Sequence, residues 1–201
     1  MSNKETEENI MNAFEIVEKT YHNSLKLLNE IENKLTNSEF ISITPNKYLR
    51  YRSDVDFYGI LIKSLIKLFQ KQNDPVHIKN ENLRNGPIYG IEINFGNYTV
   101  PKLILSSYSF NNIEANFSYL PSLAEHWLYF NSTHNKDSFE FVNYSDLNQI
   151  ISTPKTAKIS KTYYSLKKVT FTELDLLNFT SSEDLETISE ILNNLTTEND
   201  V

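Results

Sequence analysis

The chain has 201 residues, a formal net charge of −7, four glycines and no cysteine. Its length allows one large domain or two small ones, and a hydrophobic share of 39% is typical of a folded protein. The absence of cysteine excludes disulfides and thiolate chemistry, the scarce glycines exclude phosphate-binding loops, and the acidic balance disfavours general nucleic-acid binding.

The first predicted element is a long helix from about Lys4 to Leu35. Its apolar residues recur every three or four positions and form one narrow stripe: Ile10, Phe14, Val17, Tyr21, Leu25, Leu28, Ile31 and Leu35. This spacing is typical of the seam of a coiled coil or helix hairpin. The stripe either packs on the protein's own core or binds another helix, and both interpretations stay open. The candidate interaction residues are Ile10, Phe14, Val17, Tyr21, Leu28 and Ile31.

A short strand is predicted over residues 40–44, and a polar cluster follows over residues 48–56, with Arg50, Arg52, Asp54 and Asp56. In a strand these four side chains share one face, whereas in a helix they form two i,i+4 ion pairs. The sequence decides neither the secondary structure nor the role of the cluster. It is either a structural ion-pair network or a site. As a site, the carboxylates would bind Mg²⁺ or Mn²⁺ and the arginines would bind an anion.

Between Phe57 and Lys71 the polar residues fall at helical spacing among many apolar ones, which predicts a buried second helix. Residues 72–87 are expected to form a loop. The period then changes to two over Tyr89–Phe95, and Gly96-Asn97 predicts a two-residue hairpin turn into a strand over residues 98–108.

The second half of the chain is predicted to complete a sheet and end in a helix. Further strands are expected over residues 113–119, 126–130, 139–144 and 169–177, a short helix over 146–151, a basic loop over 154–168, and the last helix over about 181–195. We therefore expect a single α+β domain with a mainly antiparallel sheet, in which a helical layer spans about residues 4–72 and the sheet spans about 87–178.

Two residues of the sheet region are low-ranking candidates for catalysis. Glu92 is expected on the solvent face of its strand and could complete a carboxylate set with Asp54 and Asp56. His126 lies beside Trp127 and could act as an acid or base, although a hydrogen-bonded structural role is the commoner one. The four histidines match no zinc-site spacing, so no metal ligand is assigned.

These observations favour a cytoplasmic, non-catalytic binding or regulatory protein that acts through protein–protein interaction or self-association, with no cofactor. The alternative is a metal-dependent phosphoester hydrolase that uses Asp54, Asp56, Glu92 and His126, with Arg50 and Arg52 as anion contacts. A second alternative is weak nucleic-acid binding by the lysines and tyrosines of residues 155–168. No membrane contact is expected, because the start of the chain is polar and acidic and the longest apolar run is short and interrupted by lysines.

Overall fold

The computed structural model describes residues 3–51, 61–96, 98–179, 181 and 183–195. The helices are α1 (Asn3–Thr36), α2 (Ile113–Asn116), α3 (His126–His134), α4 (Ala157–Thr162) and α5 (Asp184–Asn194). The strands are β1 (Phe40–Ser42), β2 (Ser64–Lys71), β3 (Val76–His77), β4 (Asn80–Arg84), β5 (Ile88–Asn94), β6 (Lys102–Phe110), β7 (Phe139–Tyr144), β8 (Gln149–Pro154) and β9 (Leu166–Asp175).

Seven of these strands form one sheet in the order β1-β2-β5-β6-β9-β8-β7, and all its neighbouring pairs are antiparallel. Strands β3 and β4 pair separately. The predicted α+β class, with its long N-terminal helix, mainly antiparallel sheet and C-terminal helix, is confirmed.

Helices cover both faces of the sheet. On one face, the second half of α1 and helix α5 pack on β2, β5 and β6, with Leu28, Ile31, Leu185 and Ile188 in the buried cluster. On the other face, helix α3 contributes Leu128 and Tyr129 to a second cluster, which also includes Ile66 and Ile104 from the sheet. Strands in the middle of the sheet are therefore buried on both sides.

The predicted buried second helix is wrong over residues 64–71, which form strand β2; residues 57–60 lie outside the described part of the chain. Leu65 and Phe69 pack against the α1 side of the sheet, while Ile66 and Leu68 pack against the α3 side. Because both faces are apolar, β2 lacks the alternation of a half-buried strand. Its one charged interior residue, Lys67, is fully buried by pairing with Glu32 of α1.

The β5–β6 hairpin is confirmed, but not its two-residue turn. The register pairs Asn94 with Lys102, so residues 95–101 form the connection and Pro101 precedes β6. The expected loop at 72–87 contains the short β3–β4 hairpin.

Two predicted strands are helices, because short apolar runs do not distinguish the two states. Residues 113–119 contain α2, and residues 126–130 belong to α3. A turn preceding α3 is fixed by Glu125, whose carboxylate accepts a hydrogen bond of 2.6 Å from the backbone N–H of Ser122. Of the expected helix over 146–151, residues 146–147 belong to a one-turn 3-10 helix (Ser145–Leu147), whereas residues 149–151 begin strand β8. The basic loop contains α4.

Candidate functional site

Helix α1 is divided between the core and solvent. Its second half places Leu28, Ile31 and Leu35 in the buried cluster, whereas Ile10 is 52% exposed and Phe14 is 71% exposed. Tyr21 lies at the boundary, where its hydroxyl donates a hydrogen bond of 2.6 Å to the carbonyl of Ile62. One end of the predicted stripe therefore packs on the protein's own core, whereas the other end is exposed and its contact with another helix stays a prediction.

Seven of the eight stripe residues follow one heptad register across this boundary. Phe14, Tyr21, Leu28 and Leu35 are at a positions, and Ile10, Val17 and Ile31 are at d positions. The remaining d position is the polar Ser24, and Leu25 falls at an e position. The positions that flank the exposed part (e and g) are occupied by Thr6, Met11, Ala13, Glu18 and Thr20. Only one of these five residues is charged, so the exposed seam has almost no charge along its edges.

A second candidate site lies under α3, around a buried carboxylate. Glu92 is 2% exposed, because α3 covers the face of β5 on which it lies, so the expectation that Glu92 faces solvent is wrong. Its Oε1 accepts a hydrogen bond from Ser64 Oγ at 2.8 Å and another from Asn94 Nδ2 at 2.8 Å. Its Oε2 is buried without a hydrogen-bond partner.

Ser64 connects Glu92 to His126. The Nε2 atom of His126 lies 3.0 Å from Ser64 Oγ. Because the single hydroxyl proton of Ser64 is donated to Glu92, the His126 Nε2 must carry a proton and donate it to Ser64. The structure thus joins two sequence candidates, Glu92 and His126, through a residue that was not a candidate.

His134 closes the other side of this network. Its Nδ1 lies 2.9 Å from the carbonyl oxygen of Phe130, which can only accept, so Nδ1 carries the proton. Its Nε2 then accepts from Asn94 Nδ2, at 3.1 Å. His126, Phe130 and His134 follow one another at i, i+4 and i+8 on α3, and their rings stack with centroids 5.2 Å and 4.3 Å apart.

Burial shifts the acid–base properties of the network. Desolvation raises the pKa of Glu92, and the hydrogen bonds from Ser64 and Asn94, together with the charge of His134 in its protonated form, oppose this increase. Burial lowers the pKa of His126 to about 4, with a smaller contribution from the protonated form of His134. His126 is therefore neutral at pH 7.

This arrangement does not have the geometry of an activated serine. In a catalytic triad the carboxylate binds the histidine and the histidine accepts the serine proton, whereas here the carboxylate accepts the proton of Ser64 directly. A histidine with a pKa about 4 is also a weak base at neutral pH. The network fits a rigid polar wall better than a nucleophile.

A cavity of about 340 Å³ opens beside this wall. Ser64, Asn94 and His126 line its polar side, and Trp127 and Phe130 line its aromatic side. A second cavity, of about 620 Å³, lies beyond His134 and includes Tyr98, whose hydroxyl donates a hydrogen bond of 2.6 Å to Glu173.

The polar cluster at 48–56 is described only in part. Leu49 makes an isolated antiparallel bridge with Ile66, and Arg50 beside it is half-buried. Arg52, Asp54 and Asp56 lie outside the described residues, so the metal-dependent hydrolase stays a prediction. Among the described residues, no group of three or more acidic or histidine side chains could hold a metal ion.

The rings in the basic segment 155–168 face inward. Tyr163 is buried against Trp127 and Phe139, and the half-buried Tyr164 packs on Phe117. Their faces are therefore not arranged as an open platform for stacking bases.

Sequence reasoning missed Ser64, Asn94 and His134. The spacing of Glu92 and Asn94 places both on one face of β5, and helical spacing would have aligned His126 with His134. Both patterns were visible in the sequence. The residues of β5 and α3 come together around Ser64 only because β2 pairs with β5, which places Ser64 opposite Asn94.

The chain matches no protein-family model, and comparisons with curated proteins and with solved structures found no significant match. No helix in the described part of the chain is both long and apolar enough to span a membrane.

Proposed function

We propose that the protein is a non-catalytic binding protein that acts through protein–protein interaction, and that its partner is a second copy of the same chain. The contact is made by the exposed part of the α1 seam, with Ile10, Phe14 and Val17 at its centre. The observation that carries this proposal is the continuation of one heptad register from buried Leu28 and Ile31 to these exposed residues.

The size and composition of the exposed seam support a helix–helix contact. Three large apolar side chains at consecutive a and d positions are exposed together, and such patches are typical of interaction sites. Burial of each side chain of this size contributes about 1.5–3 kcal/mol. Pairing two such helices would also protect the seams from water along their shared length.

The edges of the seam favour a second copy over a strongly charged partner. Charges at the e and g positions normally select the partner of a coiled coil. Between residues 6 and 20, Glu18 is the single charged residue at those positions, and Thr6, Met11, Ala13 and Thr20 occupy the others. Two copies of this helix can therefore meet without a row of like charges, although the chain as a whole is acidic.

Sedimentation velocity over about 1–100 µM protein tests the proposal, because association depends on concentration. We expect wild-type dimers that dissociate on dilution, and a monomer for Phe14→Glu. Ile16→Glu is the matched control, since Ile16 is 65% exposed on the same helix but lies outside the seam. A wild-type monomer at every concentration, or equal dissociation by both variants, would contradict the proposal.

A further inference from the structure

The cavity beyond His134 has the size of a small-molecule site. Its volume is about 620 Å³, within the range of ligand pockets. Its floor is formed by β7, β8 and β9, whose register places Asn143, Ile150 and Phe171 in one row across the strands. Helix α3 covers the neighbouring part of this sheet face and ends at His134, so the cavity opens where the helix stops.

The floor of this cavity is mostly apolar. Phe141, Ile150 and Phe171 line it, and the rings of Phe141 and Phe171 pack edge-to-face with their centroids 6.3 Å apart. Phe141 and Ile150 remain half-buried. A ligand with a hydrocarbon part would cover these two side chains and remove their apolar surface from water.

One wall of the cavity carries a carboxylate whose surroundings are already ordered. Glu173 follows Phe171 by two residues in β9, so both side chains lie on the same face of the strand. The half-buried Glu173 accepts a hydrogen bond of 2.6 Å from the hydroxyl of Tyr98. The ring of Tyr98 packs edge-on against His134, with centroids 6.2 Å apart. A ligand would therefore meet a wall that needs little reorganisation.

Glu173 lacks a cationic partner. Its carboxylate takes part in none of the ion pairs formed among the described residues. The ammonium of Lys102 lies 5.9 Å from the ring centroid of Tyr98, but it is paired with Asp175 instead. Because carboxylates removed from water are usually paired, the charge of Glu173 can attract a cation from solution.

The rest of the lining does not cancel this charge. Lys136 also lines the cavity, but its side chain is exposed, so water screens its ammonium. His134 is uncharged in the hydrogen-bonded form described above. Asn97, which precedes Tyr98 in the sequence and lies outside the described residues, carries no charge. The half-buried charge of the lining is therefore that of Glu173.

A carboxylate beside aromatic rings is suited to an ammonium group. The carboxylate accepts charge-assisted hydrogen bonds from the N–H groups, and the face of a ring attracts the positive charge within about 6 Å. Glu173 supplies the acceptor, and Tyr98 and Phe141 are rings of the same lining. An anionic ligand would be repelled by Glu173.

We propose that this cavity binds a small organic amine, that is, an ammonium group attached to an apolar hydrocarbon part. The ammonium would lie beside Glu173 and Tyr98, and the hydrocarbon part would cover Phe141 and Ile150. This site is separate from the exposed α1 seam, so it stands independently of the proposed self-association.

Isothermal titration calorimetry of the full chain with phenethylamine tests the proposal, and we expect saturable binding. Three further probes separate the contributions to it. Ammonium chloride has the charge without the hydrocarbon part, phenethyl alcohol has the ring without the charge, and phenylpropanoate has the ring with the opposite charge. We expect each of the three to bind more weakly than phenethylamine by about ten-fold or more.

The variant Glu173→Gln tests the position of the ammonium. The amide oxygen can still accept from Tyr98, so the variant removes the charge and keeps the hydrogen bond. We expect it to weaken phenethylamine binding about ten-fold. Glu140→Gln is the matched control, since Glu140 is exposed on β7 and lies on the opposite face of that strand from Phe141.

Three results would overturn the proposal: no saturable binding of phenethylamine, equally tight binding of phenylpropanoate, or equal affinities of Glu173→Gln and Glu140→Gln for phenethylamine. The probe series on the wild-type chain decides the first two points even if Glu173→Gln does not fold.

Discussion

The ammonium of Lys67 on β2 is paired with the carboxylate of Glu32 on α1, and it is buried there. Lys67 is 1% exposed, and the ring of Tyr48 lies over the same ammonium, 4.9 Å from Nζ to the ring centroid. Tyr48 in turn donates a hydrogen bond to Asn29 of α1. These contacts attach the second half of α1 to the sheet and leave its first half to project beyond it.

Removal of one member of this pair should be more damaging than removal of both. We expect Glu32→Ala to lower the free energy of unfolding by about 3–5 kcal/mol, because it leaves the buried Lys67 ammonium unpaired. The double variant Glu32→Leu with Lys67→Met should recover most of that loss, since an apolar pair replaces two desolvated charges. Urea denaturation of the three proteins measures this. A double variant as unstable as the single one would show that the ion pair itself stabilises the fold.

The two halves of the α1 seam should respond differently to truncation. Leu28→Ala removes a fully buried side chain and should cost about 2–5 kcal/mol at every protein concentration. Phe14→Ala should change the free energy of unfolding only at concentrations where the wild type is associated. Urea denaturation at a low and a high concentration separates the two effects. A concentration-independent loss in Phe14→Ala would mean that Phe14 stabilises the single chain.

The long helix and its stripe were predictable from the sequence, because apolar residues spaced by three and four over 34 residues are specific to an amphipathic helix. The sequence could not show which half of the stripe is buried, since that depends on where the sheet ends. Strand β2 was misread for a related reason. With apolar side chains on both faces it has no period of two, and its buried Lys67 resembles a surface lysine until Glu32 is placed beside it.

The sequence allowed us to predict which residue types form the candidate site, but not how those residues are arranged. Glu92 and His126 were chosen for their chemistry, but the alternating pattern of β5 placed Glu92 on a solvent face. Helix α3 covers that face, and the sequence predicted a strand for its first residues. The contact through Ser64 requires both the strand register and the position of that helix, which are long-range features.

Gly90 should not accept a methyl group without a loss of stability. A Cβ at Gly90 would lie 2.8 Å from Cε2 of Tyr108, a buried ring that packs edge-to-face on Tyr129. We expect Gly90→Ala to cost about 1–3 kcal/mol through overpacking. Thermal denaturation of this variant and the wild type measures the loss, and an unchanged melting temperature would contradict the overpacking argument.

Burial of neutral His126 should make the fold sensitive to mild acid. The folded-state pKa is about 4, below the ordinary value of 6.5, so the unfolded chain binds the proton more tightly. The stability that His126 contributes is therefore present above about pH 6.5 and is lost as the pH falls toward 4. A shift of this size corresponds to about 3 kcal/mol.

The raised pKa of Glu92 has the opposite effect on stability. Glu92 stabilises the folded state below about pH 4.5, and this stabilisation is lost as the pH rises through the folded-state pKa of Glu92. The contribution of His126 is therefore read from the difference between wild type and His126→Gln, measured by urea denaturation at several pH values. We expect this difference to shrink between pH 6.5 and 4. His22→Gln is the matched control, because it makes the same substitution at a histidine that is exposed on α1. If His126→Gln behaves like His22→Gln, His126 is not held neutral by burial.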